Sequence, residues 1–362
     1  MTKNLDIIAG RCAAAKSAMQ EKHIDVLSVI KEENKKYLSM FDSTSYTVIL
    51  TAEKNYIITD FRYFEAAAEL EPLFTVVETS AAYGIFEFLK DICKAGSRLG
   101  VESETVSMSF AEKLMSVLPD IDLEKSDGLI EKLRAVKDEI ELENLKIAER
   151  IGDEAFSYIL NEIRPGISEK QIALMLELKM RALGAEALSF DVICVSGART
   201  SLPHGRPSDK HIEKGDFVTM DFGCKYNGYC SDMTRTVAVD HVSGEQRELY
   251  ELVLEAQLAA CRGAHAGMRA SEVDALARNI IEAAGYGKFF GHGLGHGTGL
   301  EIHEAPTANP RSEELLKTGM MLTIEPGIYI PEKFGVRIED LSIVDDSDII
   351  ILSESEKDLI IL

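Results

Sequence analysis

The apolar residues of SYTVILTAEKNYIITD (45–60) fall into two β-branched runs around a polar AEKN turn, a pattern that predicts a β-hairpin. Along MTKNLDIIAGRCAAAKSAM, and again around 81–95 and 109–118, apolar positions recur at helical spacing. The first 125 residues thus alternate helices with β-rich runs. Near Pro119 the chain turns polar, and EKLRAVKDEIELENLKIAERIGDEAFSYILNEI (131–163) reads mostly as one long helix ended by Pro165-Gly166. The pattern gives an amino-terminal α/β domain over 1–125 and a second domain over 126–362, which that helix opens.

The second domain carries an internal repeat. PGISEKQIALMLELKMRALGA (165–185) predicts a helix with Ser168 as N-cap and Gln171 at the capping-box position. GMRASEVDALARNIIEAAG (267–285) predicts another, starting at Ser271 with Asp274 three residues on and stopping at Gly285. The β-rich blocks KGDFVTMDFG (214–223) and KTGMMLTIEPG (317–327) share one pattern, which sets Asp221 opposite Glu325. The offset between these acids nearly equals that between Ser168 and Ser271. Two independent pairs at one offset predict duplicated halves around a pseudo-twofold axis.

The first block runs on as VTMDFGCKYNGYCSDMTRTVAV (218–239), where Asn227-Gly228 is a type I′ turn signal. With that turn Asp221 faces Thr234, and Asp232 shares the Asp221 face of the sheet. The same register sends Cys224 and Cys230 to opposite faces, which argues against a disulfide between them. The second block returns through GVRIEDLSIV (335–344), with Arg337 and Glu339 on one face and Asp340 on the other. Two aspartates and two glutamates converge from runs such as FVTM and MLTI that look buried. Unpaired buried carboxylates are costly, and coordinating a metal is one remedy.

A third segment, FFGHGLGHGTGLEIHEAP (289–306), is dense in histidine. His292 and His296 have the spacing of a helical zinc site, but five interleaved glycines disfavour a helix. An extended strand and turn fits better, with His292 and His296 at one parity. Four carboxylates neutralise two divalent cations and suit hard or borderline ions, and one neutral imidazole completes the shell. A pair of cations makes a nucleophile of water, which predicts hydrolysis.

Acidic residues outnumber basic ones 61 to 39, for a formal charge of −22. Such a chain repels phosphate backbones and anionic lipid, so neither nucleic acid nor a membrane surface is expected as a partner. Six scattered cysteines form no CxxC pair, which fits a reducing compartment. The amino terminus lacks the apolar core of a secretory signal, and no apolar run approaches the ~18 residues of a membrane span. A cytoplasmic location is expected.

Taken together, SLPHGRPSDK (201–210), MDFG, YCSDMTRT, GHGLGHGTGLEIHEAP, TIEPGIYIP (323–331) and GVRIED (335–340) resemble the pita-bread metallopeptidases, in their aminopeptidase P and Xaa-Pro dipeptidase branch. ITDFRY (58–63) looks like a segment of that family's amino-terminal domain. The resemblance implies an α+β fold: a pseudo-twofold pita-bread domain, a curved antiparallel sheet with helices outside, preceded by a smaller α/β domain. It implies two divalent ions, Mn2+ expected with Co2+ or Zn2+ as alternatives, on Asp221, Asp232, His296, Glu325 and Glu339. It gives His292 a part in stabilising the tetrahedral intermediate or in passing a proton to the leaving proline nitrogen. His204 and His303 would contact substrate carbonyls, Arg337 would sit beside the metals with Tyr329 nearby, and Glu304 would orient ligands.

The expected substrates are small peptides with proline second, and a homodimer is expected, since the family's amino-terminal domain can close over a neighbour's site. Asp60 and Arg62 read as a local ion pair, with gating as the rival role. The short chain and the ITDFRY segment favour an Xaa-Pro aminopeptidase over a prolidase. A binding module or a metal-free hydrolase of the same fold is disfavoured because no ligand is missing. MFDSTS (40–45) and VDDSDIIIL (344–352) depart from the family's usual turns.

Overall fold

The two runs flanking AEKN pair as antiparallel strands, Tyr46–Thr51 and Asn55–Thr59, with Leu50 opposite Asn55. In the computed structural model, which describes residues 2–362, they belong to a six-stranded sheet. Its order is Thr75–Glu78, Asn55–Thr59, Tyr46–Thr51, Val26–Val29, Arg98–Val101, Asp122–Lys125. Tyr46–Thr51 runs antiparallel to both neighbours, and the other neighbouring pairs are parallel. Helices Ile85–Ile92 and Met108–Val117 form where helical spacing predicts them, and their Phe88, Leu89 and Leu114 pack with Val26, Ile49 and Leu99. Asp60 caps helix Phe61–Ala67 and holds Arg62 Nε and NH2 at 2.9 and 2.7 Å, a local ion pair.

This unit runs to Arg134, and Ala135–Leu362 forms the other. The division lies beyond residue 125, where the composition changes, because helix Leu129–Arg134 belongs to the first unit: Arg134 donates to Asn34 at 2.7 Å. The charged stretch 131–163 is therefore not one helix. A second starts at Glu139 and runs to Ile159, set by a capping box. Asp138 Oδ1 accepts from Ile140 N and Glu141 N at 3.0 and 3.1 Å, and Glu141 returns a carboxylate oxygen to Asp138 N at 3.1 Å.

The duplication is visible in the second unit. Each half supplies a long helix and a 14-residue helix: Glu139–Ile159 with Glu169–Ala182, then Gly244–Gly263 with Ala270–Ala283. Ser168 and Gln171 cap the second of these as predicted. Helix Ala270–Ala283 begins ahead of Ser271, because Glu272 accepts from Arg269 N at 2.7 Å and moves the cap to Arg269.

Strands Phe217–Phe222 and Met233–Ala238 pair with Asp221 opposite Thr234. Asn227 (φ 50) and Gly228 (φ 86) supply the left-handed turn between them. Val218, Met220 and Phe222 pack on the helices of the first half, so alternation leaves Thr219 and Asp221 on the opposite face. In the second half Leu322, Ile324, Val336 and Ile338 pack on helices, which leaves Thr323, Glu325, Arg337 and Glu339 on that same side. All four acids thus face away from the helical layer.

Behind the acids, on the helical side, Arg235 of the first half meets Asp340 of the second at 2.9 Å, and both are buried. Arg235 NH1 also donates to Glu339 O, and Gln257 and Lys357 bind the other Asp340 oxygen. Removing one partner of such a buried pair typically costs about 3–5 kcal/mol. All six cysteines are free thiols. Among the described residues no helix is long and apolar enough to cross a membrane.

Candidate metal centre

The strands break beside the candidate ligands. Gly223 on one side, and Ser231 with Asp232 on the other, separate Phe217–Phe222 and Met233–Ala238 from the turn that joins them. Glu325 and Pro326 likewise interrupt a hairpin whose register is the same on both sides, with Ile324 opposite Asp340 and Gly327 opposite Arg337. Freed from the ladder, Glu325 N bonds Leu294 O at 2.9 Å, which draws the histidine segment alongside. His296 N then donates to Thr323 Oγ1 at 2.9 Å. That approach requires glycine at 295, where a Cβ would stand 1.9 Å from Thr323 O. Gly295→Ala is therefore expected to push His296 outward and lower metal content per chain while the protein still folds. Elemental analysis after gel filtration checks this, and full metal occupancy would refute it.

Asp221, Asp232, His296, Glu325 and Glu339 all line one cleft of about 1210 Å³. His296 Nε2 lies 3.5 Å from Asp232 Oδ2 and 3.4 Å from Glu325 Oε1. Donor atoms of Asp232, His296 and Glu339 fall within 4.8 Å of one another. Arg337 NH2 reaches Asp221 Oδ2 at 2.5 Å, and its Nε donates to Thr234 Oγ1 at 3.0 Å. Thr234 in turn donates to Glu339 Oε2 at 2.7 Å, and Thr323 donates to Glu325 at 3.2 Å. Asp221 Oδ1 and Glu339 Oε1 remain buried with no hydrogen-bond partner.

The site is electrostatically unfinished. Burial raises the Asp232 carboxyl well above the usual carboxylate range, and Glu339, Asp221 and Glu325 push it further. Burial does the same to Glu339, helped by Glu325 and Asp221. Glu325 is pushed up to about 8 by burial, with Arg337 pulling against it. Burial takes His296 down to about 4, so its imidazole is neutral. Carboxylates held this close with one arginine among them, two orphaned oxygens and a neutral imidazole form the donor set of hard or borderline divalent cations. The residues fit such ions.

His204, His292 and His303 line the same cleft. The His303 ring stands edge-on to His296 with centroids 4.4 Å apart. His292 Nδ1 donates to Gly293 O at 2.7 Å, and its Nε2 therefore accepts from the Tyr329 hydroxyl at 3.0 Å. Arg337 NH1 donates to that hydroxyl at 2.8 Å. Burial, with Arg337 adding to it, lowers His292 to about 4. Glu304 binds buried Lys137 at 2.9 Å and pairs in sequence register with Gly297, bracing the His296 strand.

A buried carboxylate and imidazole cluster between the duplicated halves of a helix-backed sheet is the centre of a metal-dependent hydrolase. Residues 143–346 match metallopeptidase family M24, and residues 11–136 match the creatinase/prolidase N-terminal domain. The chain belongs to family M24 and has its two-domain α+β architecture with a pita-bread catalytic domain. The Xaa-Pro dipeptidase of Pyrococcus furiosus is 41% identical over 347 residues, 94% of this chain and 97% of that protein. A solved Xaa-Pro dipeptidase from Bacillus anthracis superposes at TM-score 0.94 and 43% identity, covering 98% of this chain and 100% of that one. An X-Pro aminopeptidase from Thermotoga maritima MSB8 gives 0.85 and 37%, covering 95% and 97%. The chain is a peptidase that depends on divalent metal ions.

Two elements of the cleft escape the sequence reading. Thr234 and Thr323 donate to Glu339 and Glu325, and strand alternation alone puts both on the acid face. Arg278 lines the cleft and is held by Asp274, a pair marked in the sequence only by acid–base spacing one helical turn apart.

Proposed function

We propose that the chain is an Xaa-Pro dipeptidase that works with two divalent ions, Mn2+ foremost, held by Asp221, Asp232, His296, Glu325 and Glu339. The observation that carries this reading is the pair of orphaned oxygens, Asp221 Oδ1 and Glu339 Oε1, within a cluster of four acids and one neutral imidazole. The sequence favours an aminopeptidase acting on longer peptides, but relatives named Xaa-Pro dipeptidase match at 41% and 43% identity over nearly the whole chain. That support outweighs the X-Pro aminopeptidase at 37%.

Bound ions supply a nucleophilic water at neutral pH and polarise the scissile carbonyl. The chain's own residues do the rest. His292 is neutral at pH 7, and its Nε2 is unprotonated. We assign it the proton released when water adds to the carbonyl, to be returned to the proline nitrogen, a poor leaving group until protonated. Tyr329 and Arg337 hold that imidazole in place until substrate displaces the hydroxyl. His204 and His303, which both line the cleft, offer ring N–H groups to substrate carbonyls.

Initial rates on Ala-Pro, Ala-Pro-Ala and Met-Ala-Ser, with and without EDTA, test the reading. Ala-Pro should be cleaved at least about tenfold faster than the tripeptides, and only with metal. Faster release of alanine from Ala-Pro-Ala would return the chain to the aminopeptidase reading, and no cleavage of either proline peptide would end both.

The raised carboxyls give a pH dependence of definite sign. The Asp232 and Glu339 carboxyls are raised above the usual carboxylate range and Glu325 is raised to about 8, so in the metal-free protein protons compete for these oxygens. A divalent ion must displace those protons. Mn2+ affinity is therefore expected to rise from pH 6 to 8, with at least about one proton released per chain at pH 6.5. Calorimetry in buffers of different ionisation heat measures the release, and a pH-independent affinity would contradict it.

A further inference from the structure

Helix Ala270–Ala283 brings Arg278 to the cleft wall, with Asp274 one turn earlier on the same helix. Asp274, 1% exposed, grips Arg278 through both oxygens, with Nε at 2.6 Å and NH2 at 2.8 Å. The rest of the guanidinium is spent on backbone: NH1 donates to Phe290 O at 3.0 Å and NH2 to His292 O at 2.7 Å. Asp274 Oδ1 also accepts from Leu294 N at 3.0 Å. The guanidinium lies 4.1 Å over the Phe290 ring, whose edge meets the His292 ring with centroids 5.1 Å apart.

Residues 290, 292 and 294 are thus all tied to one ion pair. A buried ion pair is weak grounds for stability, so its partners must say what it does. They are the backbone around His292, which Gly291 and Gly293 flank. Glycine on both sides leaves that backbone more conformational freedom than any other residue would. The ring itself is held by Gly293 O and Tyr329, and the clamp fixes from outside the backbone that carries it.

We propose that Asp274 and Arg278 are a positioning pair that sets the His292 ring against Tyr329 and the scissile bond. The proposal rests on the dipeptidase reading and assigns the pair no contact with substrate. Lysine at 278 keeps a positive partner for Asp274 but cannot reach both carbonyls. Asparagine at 274 keeps an acceptor for Leu294 N but removes the charge that orients Arg278.

The test uses the Zn2+-loaded protein with 15N-labelled histidine. The ring nitrogen signals of His292, assigned with His292→Gln, should shift or broaden in Arg278→Lys, while those of His204 stay in place. On Ala-Pro, kcat should fall about 10- to 100-fold, the range typical for removing an outer partner of an active-site group, with KM within about threefold. Asp274→Asn should do the same to a smaller degree, and stands as the second variant if Arg278→Lys does not fold. Unmoved His292 signals in both variants, or a kcat loss that only follows lost metal or unfolding, would overturn the proposal. Should the unsubstituted protein fail to cleave Ala-Pro, the dipeptidase reading falls, and the nitrogen signals alone decide whether the pair positions His292.

Discussion

Glu339→Gln is expected to lower kcat/KM on Ala-Pro by at least about 10,000-fold. Hydrolysis without an intact centre falls back toward the uncatalysed reaction, which enzymes typically exceed by about a millionfold or more. Glu339 is 1% exposed, one of its oxygens is unpartnered and the other holds Thr234. An amide keeps the size but presents only one oxygen, so one ion should be lost or weakly held. The same change should stabilise the metal-free protein, because a neutral group replaces a buried acid pressed by Glu325 and Asp221. Elemental analysis, peptide hydrolysis and thermal unfolding with EDTA measure all three effects. Near-normal turnover with full metal content would remove Glu339 from the centre.

His292→Ala should cost about 100- to 10,000-fold in kcat, the usual weight of a positioned acid–base group. Unlike the change at Glu339, it should leave metal content untouched, since His292 binds Gly293 O and Tyr329 rather than any ligand carboxylate. Tyr329→Phe should fall between, because it frees Nε2 without removing the base. A His292→Ala protein with kcat within about threefold of the unsubstituted chain would take the proton-transfer role from His292.

The ligand strands were legible because two rules act there without competition. Asn227-Gly228 fixes the hairpin register, and register with alternation decides that Asp221, Thr234 and Asp232 share a face. The repeat then carries the same logic to Glu325 and Glu339. Five glycines exclude a helix around His296, yet nothing in that segment says it will lie beside Thr323; that follows from the broken ladder at Glu325, a tertiary event.

Helix starts were less legible. Asp138 and Glu141 spell a capping box inside a run of charges, where helix-favouring residues on both sides hide the break. Ser271 looks like a cap, but Glu272 secures an earlier start at Arg269. The link between Arg278 and the carbonyls of Phe290 and His292 joins side chain to backbone and leaves no mark in residue spacing. The preference between dipeptides and longer substrates has no motif either.

The Arg235–Asp340 pair ties one half of the catalytic unit to the other beneath the candidate ligands, and Arg235 also holds the backbone of Glu339. Neither half owns the centre: one brings two aspartates, the other a histidine and two glutamates. A polypeptide of half this length could have built a comparable centre only by pairing with its twin, with identical donors from each copy. A single chain with two halves carries no such identity, and here an imidazole stands on one side alone.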